Sequence, residues 1–363
     1  MSLSVGIVGL PNVGKSTLFN ALLKSQQALA ANYPFATIEP NIGVVPVPDD
    51  RLVNISKVIE SHSGVKPPIV PATVKFTDIA GIVKGASEGE GLGNQFLSHI
   101  REVSAIAFVV RAFKDGDVVE TGEGDFGKDL ETVKTELALA DLETLNKQKE
   151  PKGSVEKIEI AKWQVIQKIK KYLEEGITSP RLSKEEKDLI YDLNLLSIKP
   201  SLYVINVSEE DLKNQDILAK EGAKKLSVSS EDIVIICAKT ESELANLNPK
   251  DQKEYLKDLN VEKSGLENLI ESAYKKLGLI SFLTAGEKEV RAWTISKNTK
   301  APKASAVIHT DFENNFIKAL ACSYSDFISI GGWHKAKEKG LIRTEGKDYI
   351  IKPDDIIEFM IGK

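Results

Sequence analysis

GLPNVGKS, residues 9–16, is the stretch of sequence that decides the fold. The apolar run Ser4–Val8 before it predicts a short buried strand, and residues 15–23 after it predict a helix with one apolar side. A strand, a glycine-containing loop and a helix N-terminus together direct backbone N–H groups and the positive end of a helix dipole at one point. The stretch therefore predicts a phosphate-binding loop, and with it a site for a nucleoside triphosphate.

The residue types in this loop each suit a triphosphate. Gly14 lets the backbone approach a phosphate closely, because it has no Cβ. The ammonium group of Lys15 can reach the β- and γ-phosphates, and the hydroxyl of Ser16 can bind Mg²⁺. The nucleotide contacts predicted from this loop are Asn12, Val13, Gly14, Lys15, Ser16 and Thr17.

Composition sets the broad class of the protein. The chain has 363 residues, 42% of them hydrophobic and 28% charged, which is typical of a soluble globular protein with two or three domains. A net charge of -5 gives no overall electrostatic case for nucleic acid. Cys237 and Cys322 lie in apolar runs, so we expect buried reduced thiols. With no apolar stretch near the length of a membrane span, and with the apolar start used as a strand, we expect a cytoplasmic monomer without a membrane partner.

The order of patterns along the chain predicts an α/β fold. Strand patterns recur before candidate functional turns, and helix patterns separate several of them, which favours a largely parallel sheet covered by helices. The predicted strands are residues 4–8, 73–77, 105–110, 201–205 and 233–237, and the helices between them include 92–101 and 209–226.

Two further regions differ from this pattern. Apolar residues recur at three- and four-residue spacing across 128–199, with a break at 151–154, so we predict an inserted α-helical hairpin. Short mixed elements after Gly278, with strands predicted at 289–296, 317–323 and 349–359 and short helices near 304–308 and 335–339, predict a small α+β domain. The predicted domains are 1–127 with 200–279 for the nucleotide, 128–199 for the hairpin, and 280–363.

A second motif follows the strand pattern at 73–77. Asp78 and Gly81 form D-x-x-G, where the carboxylate can hold Mg²⁺ and the Gly81 N–H can meet a γ-phosphate. Thr37, in the segment between the two motifs, is the candidate to add a hydroxyl to the metal. The predicted Mg²⁺ ligands are therefore Ser16, Thr37 and Asp78, and the segments around Thr37 and Gly81 form a nucleotide-dependent switch.

A third motif suggests which base is bound. Asn206 and Glu209 follow the strand at 201–205 as Asn-x-x-Glu, whereas guanine-specific proteins carry Asn-Lys-x-Asp. Adenine has no 2-amino group and an unprotonated N1, so a guanine-reading carboxylate is of no use to it. We therefore favour ATP over GTP, with GTP binding weaker; the alternative is that Glu209 only caps a helix. Ala238, after the strand at 233–237, resembles the last base-contacting loop of the same fold.

Taken together, these residues resemble the Obg-like ATPase or YchF family of the translation-factor-related P-loop GTPases. The resemblance extends over the chain through GLPNVGKST, NYPFATIEPN, DIAGIVKGASEGEGLGNQFL, NVSE, EVRAWTI and KASAVIHTDFE. It implies a P-loop NTPase sheet domain with the inserted hairpin and a C-terminal β-grasp (TGS) domain. It also implies ATP hydrolysis with dual ATP/GTP binding, and association with ribosomes or RNA.

Two departures from related proteins affect the mechanism. Ile82 stands where a Ras-like switch carries a water-orienting Gln, and an alkyl group cannot orient water. Many family members carry a His that aligns with Glu120 here, so we assign no catalytic base. Asn12 resembles the residue of GTPases that bind K⁺ beside the phosphates, where the cation stabilises developing charge. The alternative is that Asn12 only stabilises the loop.

The function predicted from the sequence is a ribosome- or RNA-associated regulatory switch that binds ATP and slowly hydrolyses it to ADP and phosphate. Two alternatives remain open, namely a nucleotide-gated binding module with negligible intrinsic hydrolysis and a GTP-preferring GTPase. In the C-terminal region, Lys297, Lys300, Lys303 and His309 near Trp293 suggest an RNA-facing patch, although a solvated charged face explains the same residues.

Overall fold

The structure, a computed structural model, describes residues 3–30, 41–79, 92–113, 125–153 and 156–362, without the side chains of 25–30 and 92–95. The chain forms two compact units. The first contains Met1–Val45 and Lys75–Ala273, and the second contains Pro46–Val74 and Tyr274–Lys363. The predicted domain boundaries stay a prediction, but residues 46–74, from the middle of the predicted nucleotide domain, cluster with the C-terminal part of the chain.

The described strands are β1 (Ser4–Val8), β2 (Ile42–Pro46), β3 (Ile69–Val70), β4 (Thr73–Asp78), β5 (Ala105–Arg111), β6 (Ser201–Asn206), β7 (Ile233–Ile236), β8 (Leu279–Ala285), β9 (Val290–Ser296), β10 (Phe316–Ser323), β11 (Arg343–Glu345) and β12 (Asp355–Ile361). The described α-helices are α1 (Lys15–Ala30), α2 (Asp50–Ser63), α3 (Leu92–Glu102), α4 (Phe126–Asn146), α5 (Lys157–Glu174), α6 (Lys184–Leu189), α7 (Gln215–Leu226), α8 (Ala238–Leu244), α9 (Pro249–Asp258), α10 (Gly265–Lys276), α11 (Ala301–Ser305), α12 (Asp311–Asn314), α13 (Tyr324–Ile330) and α14 (Trp333–Glu338).

The first sheet has the strand order β2-β4-β1-β5-β6-β7. The pairings of β1 with β4 and β5, of β5 with β6, and of β6 with β7 are all parallel. All five residues of β1 and all four of β7 are buried, because helices cover both faces of a parallel sheet. The predicted α/β fold with a P-loop sheet is confirmed.

The inserted helices pack through the apolar stripe that the sequence predicted. Ala138 and Leu145 of α4 lie in one buried cluster with Val165, Ile166 and Ile169 of α5. Asp141 of α4 is fully buried, and its carboxylate accepts the backbone N–H groups of Leu196 and Ser197 at 2.8 and 2.7 Å. These two hydrogen bonds attach α4 to the segment at 196–197, where the chain leaves the insertion and approaches β6.

The second unit is a mixed sheet in the order β11-β10-β12-β8-β9-β3 with short helices on it. Its core includes Phe282, Ile295, Phe316 and Ile357. Segment 46–74 joins this unit through the parallel pairing of Ile69 with Val290 and the ion pair between Arg51 and Asp354, 3.1 Å apart.

Two predictions of secondary structure were wrong. The strand predicted at 349–359 begins only at Asp355, because Ile350 makes only an isolated bridge with Lys300 and residues 353–354 form a turn. The helix predicted at 209–226 is divided into a 3₁₀ helix, Glu210–Asn214, and α7. Amphipathic spacing does not distinguish a short 3₁₀ turn from the start of an α-helix.

Both cysteines are free thiols in buried positions, as predicted. Among the described residues, none of the helices has the length and hydropathy that crossing a membrane requires.

Candidate nucleotide site

The carboxyl ends of four strands of the first sheet, β4 and β1 on one side of β5 and β6 and β7 on the other, carry the predicted site residues. Ile7 of β1 pairs with Asp78, the last residue of β4, and Asn206, the last residue of β6, pairs with Ile236 of β7. Parallel pairing places these strand ends on one edge of the sheet, where ligands of open α/β sheets bind. The phosphate loop leaves β1 at this edge.

The phosphate loop has the backbone geometry that its residue types permit. Asn12 has a φ of 62° and Gly14 a φ of 100°. Asn is one of the few non-glycine residues that adopt the left-handed region, whereas a φ near 100° is adopted almost only by glycine. A Cβ on Gly9 would lie 2.3 Å from the carbonyl oxygen of Val109, so the loop begins in direct contact with β5. The conformation gives Asn12 a structural role in the loop, and its exposed side chain remains free to act as the predicted K⁺ ligand.

Lys15 and Asp78 lie partly buried at the edge of the sheet, and the charge of each affects the pKa of the other. The Lys15 side chain is only 7% exposed, and its Nζ donates to the carbonyl of Leu10 at 2.7 Å. Burial lowers the pKa of Lys15, and the nearby Asp78 carboxylate opposes this change. Burial likewise raises the pKa of Asp78, opposed by the charge of Lys15. Within the described residues, the Lys15 ammonium group uses one of its three N–H donors, on Leu10. The phosphate loop thus orients a buried cation whose other donors can bind a ligand.

Asn206 connects the third motif to the phosphate loop. Its Nδ2 donates to the carbonyl of Val13 at 2.9 Å, and its Oδ1 accepts the backbone N–H of Ala238 at 3.0 Å. A Cβ on Gly14 would lie 2.3 Å from the same Nδ2, so the loop and the Asn206 amide fit only because residue 14 is glycine. The side chain is 4% exposed. Asn206 therefore holds the loop, the end of β6 and the start of α8 in one arrangement.

Glu209 is bound by two hydroxyl groups that sequence reasoning missed. Thr240 Oγ1 donates to Glu209 Oε2 at 3.0 Å, and Tyr255 OH donates to the same oxygen at 3.0 Å. No side-chain capping bond joins Glu209 to the 3₁₀ helix that follows it, so the helix-capping alternative is not what the structure shows. Tyr255 lies on α9, 46 residues along the chain from Glu209, and no local pattern connects the two.

The remaining predicted residues divide into two groups. Ser16 and Thr17 are exposed in the first turn of α1, where helix N–H groups have no partner within the helix. Thr37, Gly81, Ile82 and Glu120 lie outside the described residues. The structure therefore places Asn12, Val13, Gly14, Lys15, Ser16, Thr17, Asp78, Asn206, Glu209 and Ala238 along one edge of one sheet.

The described oxygen donors suit Mg²⁺. Mg²⁺ usually takes one or two protein oxygen ligands and completes its octahedron with water and phosphate. The exposed Ser16 hydroxyl and the Asp78 carboxylate, whose pKa is raised by burial, are such hard donors. A bound cation would offset that unfavourable burial of charge.

Two residues of the predicted RNA-facing patch of the second unit, Trp293 and Lys300, make contacts within the protein. Trp293 Nε1 donates to Thr284 Oγ1 at 3.0 Å, and the Arg291 guanidinium lies 4.1 Å from the centre of the Trp293 ring. Lys300 forms an ion pair with Asp348 at 2.7 Å. These contacts explain Trp293 as a packing residue, and the two lysines at 297 and 303 stay exposed.

A parallel sheet that presents a phosphate loop after β1, a carboxylate after β4 and an asparagine after β6 is the architecture of the P-loop nucleotide hydrolases. Residues 4–155 match the family described as "50S ribosome-binding GTPase". Residues 279–362 match YchF-GTPase_C, described as "Protein of unknown function (DUF933)".

Similarity to individual proteins extends over the full length. "Ribosome-binding ATPase YchF" of Bacillus subtilis is 44% identical over 370 residues, with 99% of each chain covered. The protein of the same name from Haemophilus influenzae is 47% identical over 376 residues, again with 99% of each covered. The solved structure of the Schizosaccharomyces pombe YchF GTPase superposes with a TM-score of 0.85 at 38% identity, covering 99% of this chain and 98% of that one. The chain belongs to the YchF family of P-loop nucleotide hydrolases.

Proposed function

We propose that the protein is a ribosome-associated switch that binds ATP in preference to GTP and hydrolyses it slowly to ADP and phosphate. Relatives named for ribosome binding and ATP hydrolysis, similar over the whole chain, support the partner and the reaction. The family names disagree on the base, since the matched nucleotide domain is described as a GTPase. The base preference is therefore argued from this chain's own residues.

The observation that carries the adenine preference is the hydrogen bonding of Asn206 and Ala238. The Ala238 N–H, which we expect in the base-contacting loop, is donated to Asn206 Oδ1 at 3.0 Å. Guanine has a carbonyl oxygen at C6 that requires a hydrogen-bond donor, and the Ala238 N–H is already donated to Asn206. Adenine has an amino group at C6, so it does not require this donor. Leaving a buried polar group unpaired costs about 1–3 kcal/mol, or roughly tenfold or more in affinity.

Lys15, Ser16 and Asp78 perform the phosphate chemistry in this proposal. The Lys15 ammonium neutralises charge on the β- and γ-phosphates, and the free N–H groups at the start of α1 bind the same oxygens. Ser16, Asp78 and Thr37 would hold Mg²⁺, which when bound would neutralise charge on the phosphates. Asn12 is the candidate K⁺ ligand beside them. A cytoplasmic location and a monomeric state belong to the same proposal.

Calorimetric titration with ATP, GTP, ADP and GDP in Mg²⁺ tests the site and the base together. We expect ATP to bind at least roughly tenfold more tightly than GTP. GTP binding tenfold more tightly than ATP contradicts the adenine preference. A Lys15→Ala variant abolishes triphosphate binding in the same assay if the loop is the site.

A second candidate function is a nucleotide-gated binding module that hydrolyses nothing without its partner, and it is favoured by Ile82 in place of a water-orienting Gln. Single-turnover hydrolysis of ATP with and without ribosomes distinguishes the two. Turnover by the protein alone favours the slow ATPase, and turnover only with ribosomes favours the gated module.

A further inference from the structure

The Glu209 carboxylate has one oxygen that is already fully bonded. Oε2 accepts from Thr240 Oγ1 at 3.0 Å and from Tyr255 OH at 3.0 Å. A carboxylate oxygen has two lone pairs, so these two hydroxyls use its capacity. Tyr255 OH also lies 3.5 Å from Glu243 Oε2, but it has one proton, and the shorter contact to Glu209 takes it.

The two hydroxyl donors come from different helices and fix the carboxylate from two directions. Thr240 lies on α8 and is only 1% exposed, so its hydroxyl has little freedom to turn away. Tyr255 lies on α9 and is half-buried. Partial burial and then the hydrogen bond to Glu209 raise the pKa of Tyr255 to about 12, so the phenol stays a donor at neutral pH. The position of Glu209 is therefore set by tertiary packing.

Guanine and adenine differ in the number of donors that they offer to a carboxylate. Guanine presents the N1–H and the 2-amino group side by side, and this parallel pair matches the two oxygens of a free carboxylate. Adenine has no such pair. Glu209 is exposed in the structure, and a base bound against it would cover its carboxylate. A carboxylate with one oxygen already filled can serve one N–H donor of guanine but leaves the second without a protein acceptor, which is costly where the bound base excludes water.

We propose that Thr240 and Tyr255 are specificity-determining positioning residues, which exclude guanine by occupying the Glu209 oxygen that would accept its second N–H. The inference rests on the proposed adenine preference and adds two residues that contribute to it beside Asn206 and Ala238. The carboxylate is thereby converted from a two-oxygen guanine reader into a one-oxygen acceptor without a change in its charge.

The test uses Tyr255→Phe, Thr240→Val and the double variant, each titrated in Mg²⁺ with ATP, GTP and ITP. Inosine keeps the N1–H of guanine and lacks the 2-amino group. We expect the wild type to bind ITP more tightly than GTP, because the 2-amino group has no acceptor. In the double variant, GTP affinity rises about tenfold relative to ATP and equals or exceeds that of ITP. Each single variant gives part of this change.

Two control variants separate selectivity from folding. Thr240→Ser keeps the hydroxyl and retains the wild-type ratios, and Tyr172→Phe removes a phenol from the inserted helix α5 with no effect on them. Ratios of the three nucleotides that stay at wild-type values in the double variant overturn the proposal, as does an equal weakening of all three. A wild type that prefers GTP overturns the adenine function itself, whereas a GTP-to-ITP affinity ratio that stays at the wild-type value in the double variant overturns only the role of Thr240 and Tyr255.

Discussion

Asn206 donates its side-chain N–H to the main-chain carbonyl of Val13 at 2.9 Å, across 193 residues of sequence. The bond joins the end of β6 to the middle of the phosphate loop inside a buried corner. A residue that the sequence assigned to base recognition is thus also a support for the phosphate site. The base motif and the phosphate loop are joined by this hydrogen bond, so we expect a substitution in one of them to affect the other.

Asn206→Asp tests this connection. The carboxylate keeps an acceptor for Ala238 N–H but has no donor for the Val13 carbonyl, so two oxygens face each other in a buried site. We expect a loss of about 1–3 kcal/mol in the free energy of unfolding, and ATP affinity at least roughly tenfold weaker. Urea denaturation and calorimetry measure the two effects. Asn20→Asp, the same change at an exposed position of α1, is the control, and equal behaviour of the two variants contradicts the connection.

Gly14→Ala combines backbone strain with a collision. The new Cβ would lie 2.3 Å from Asn206 Nδ2, at a φ of 100°. Gly153 has a similar φ of 88° but nothing within 4 Å of a Cβ, so Gly153→Ala measures strain alone. We expect Gly153→Ala to cost about 1–2 kcal/mol and Gly14→Ala to cost clearly more and to abolish ATP binding. Similar unfolding free energies for the two variants would show that the Asn206 contact is not tight.

Asn12 is the residue through which K⁺ dependence is tested. We expect ATP turnover to be faster in K⁺ than in Na⁺, because a cation beside the phosphates stabilises developing negative charge. Asn12→Asp weakens this preference while keeping a residue type that tolerates a φ of 62°. Steady-state hydrolysis in matched KCl and NaCl gives the ratio. Equal rates in the two salts for the wild type remove the K⁺ hypothesis and leave Asn12 with its role in the loop backbone.

Glu241 makes the stability of the first unit depend on pH. Its side chain is 4% exposed, and its Oε1 accepts the N–H of Gly265, at the start of α10, at 2.8 Å. Burial raises the pKa of Glu241 from 4.5 to about 7, against the lowering effect of hydrogen bonds from Gly265 and its neighbours. The folded protein therefore binds a proton more tightly than the unfolded chain, so stability is lost as pH rises from about 4.5 to about 7.

Glu241→Gln removes this titration. The neutral amide keeps an acceptor for Gly265 N–H but adds a pH-independent cost, because its NH₂ faces donors from the α10 N-terminus. We expect the unfolding free energy of the variant, relative to the wild type, to improve by up to about 3 kcal/mol between pH 4.5 and pH 7. Chemical denaturation across this range measures it, with Glu254→Gln on the exposed side of α9 as control. A difference that is flat with pH contradicts the burial argument.

Much of the fold and part of the site could be predicted from local patterns. The strand Ser4–Val8, the loop and the start of α1 are contiguous, so local residue types predict all three, and Asn12 and Gly14 are residue types that permit the positive φ values found there. The strands at 105–111 and 201–206 were found from apolar runs because parallel strands are buried on both faces. The start of β12 was predicted too early, and the helix before α7 was predicted as continuous. Both errors lie in short turns, whose residues show no hydrophobic periodicity.

Sequence by itself determined the class of the protein: a phosphate loop, D-x-x-G and Asn-x-x-Glu occur in that order and each at the end of an apolar strand. Tertiary structure alone decided which groups those motifs bind. Thr240 and Tyr255 on Glu209, Val13 on Asn206, and segment 46–74 beside the C-terminal sheet all join residues far apart in the chain. The physical reason is that motif chemistry depends on neighbours within one turn, whereas hydrogen-bond partners in a buried corner depend on which helices the sheet brings together.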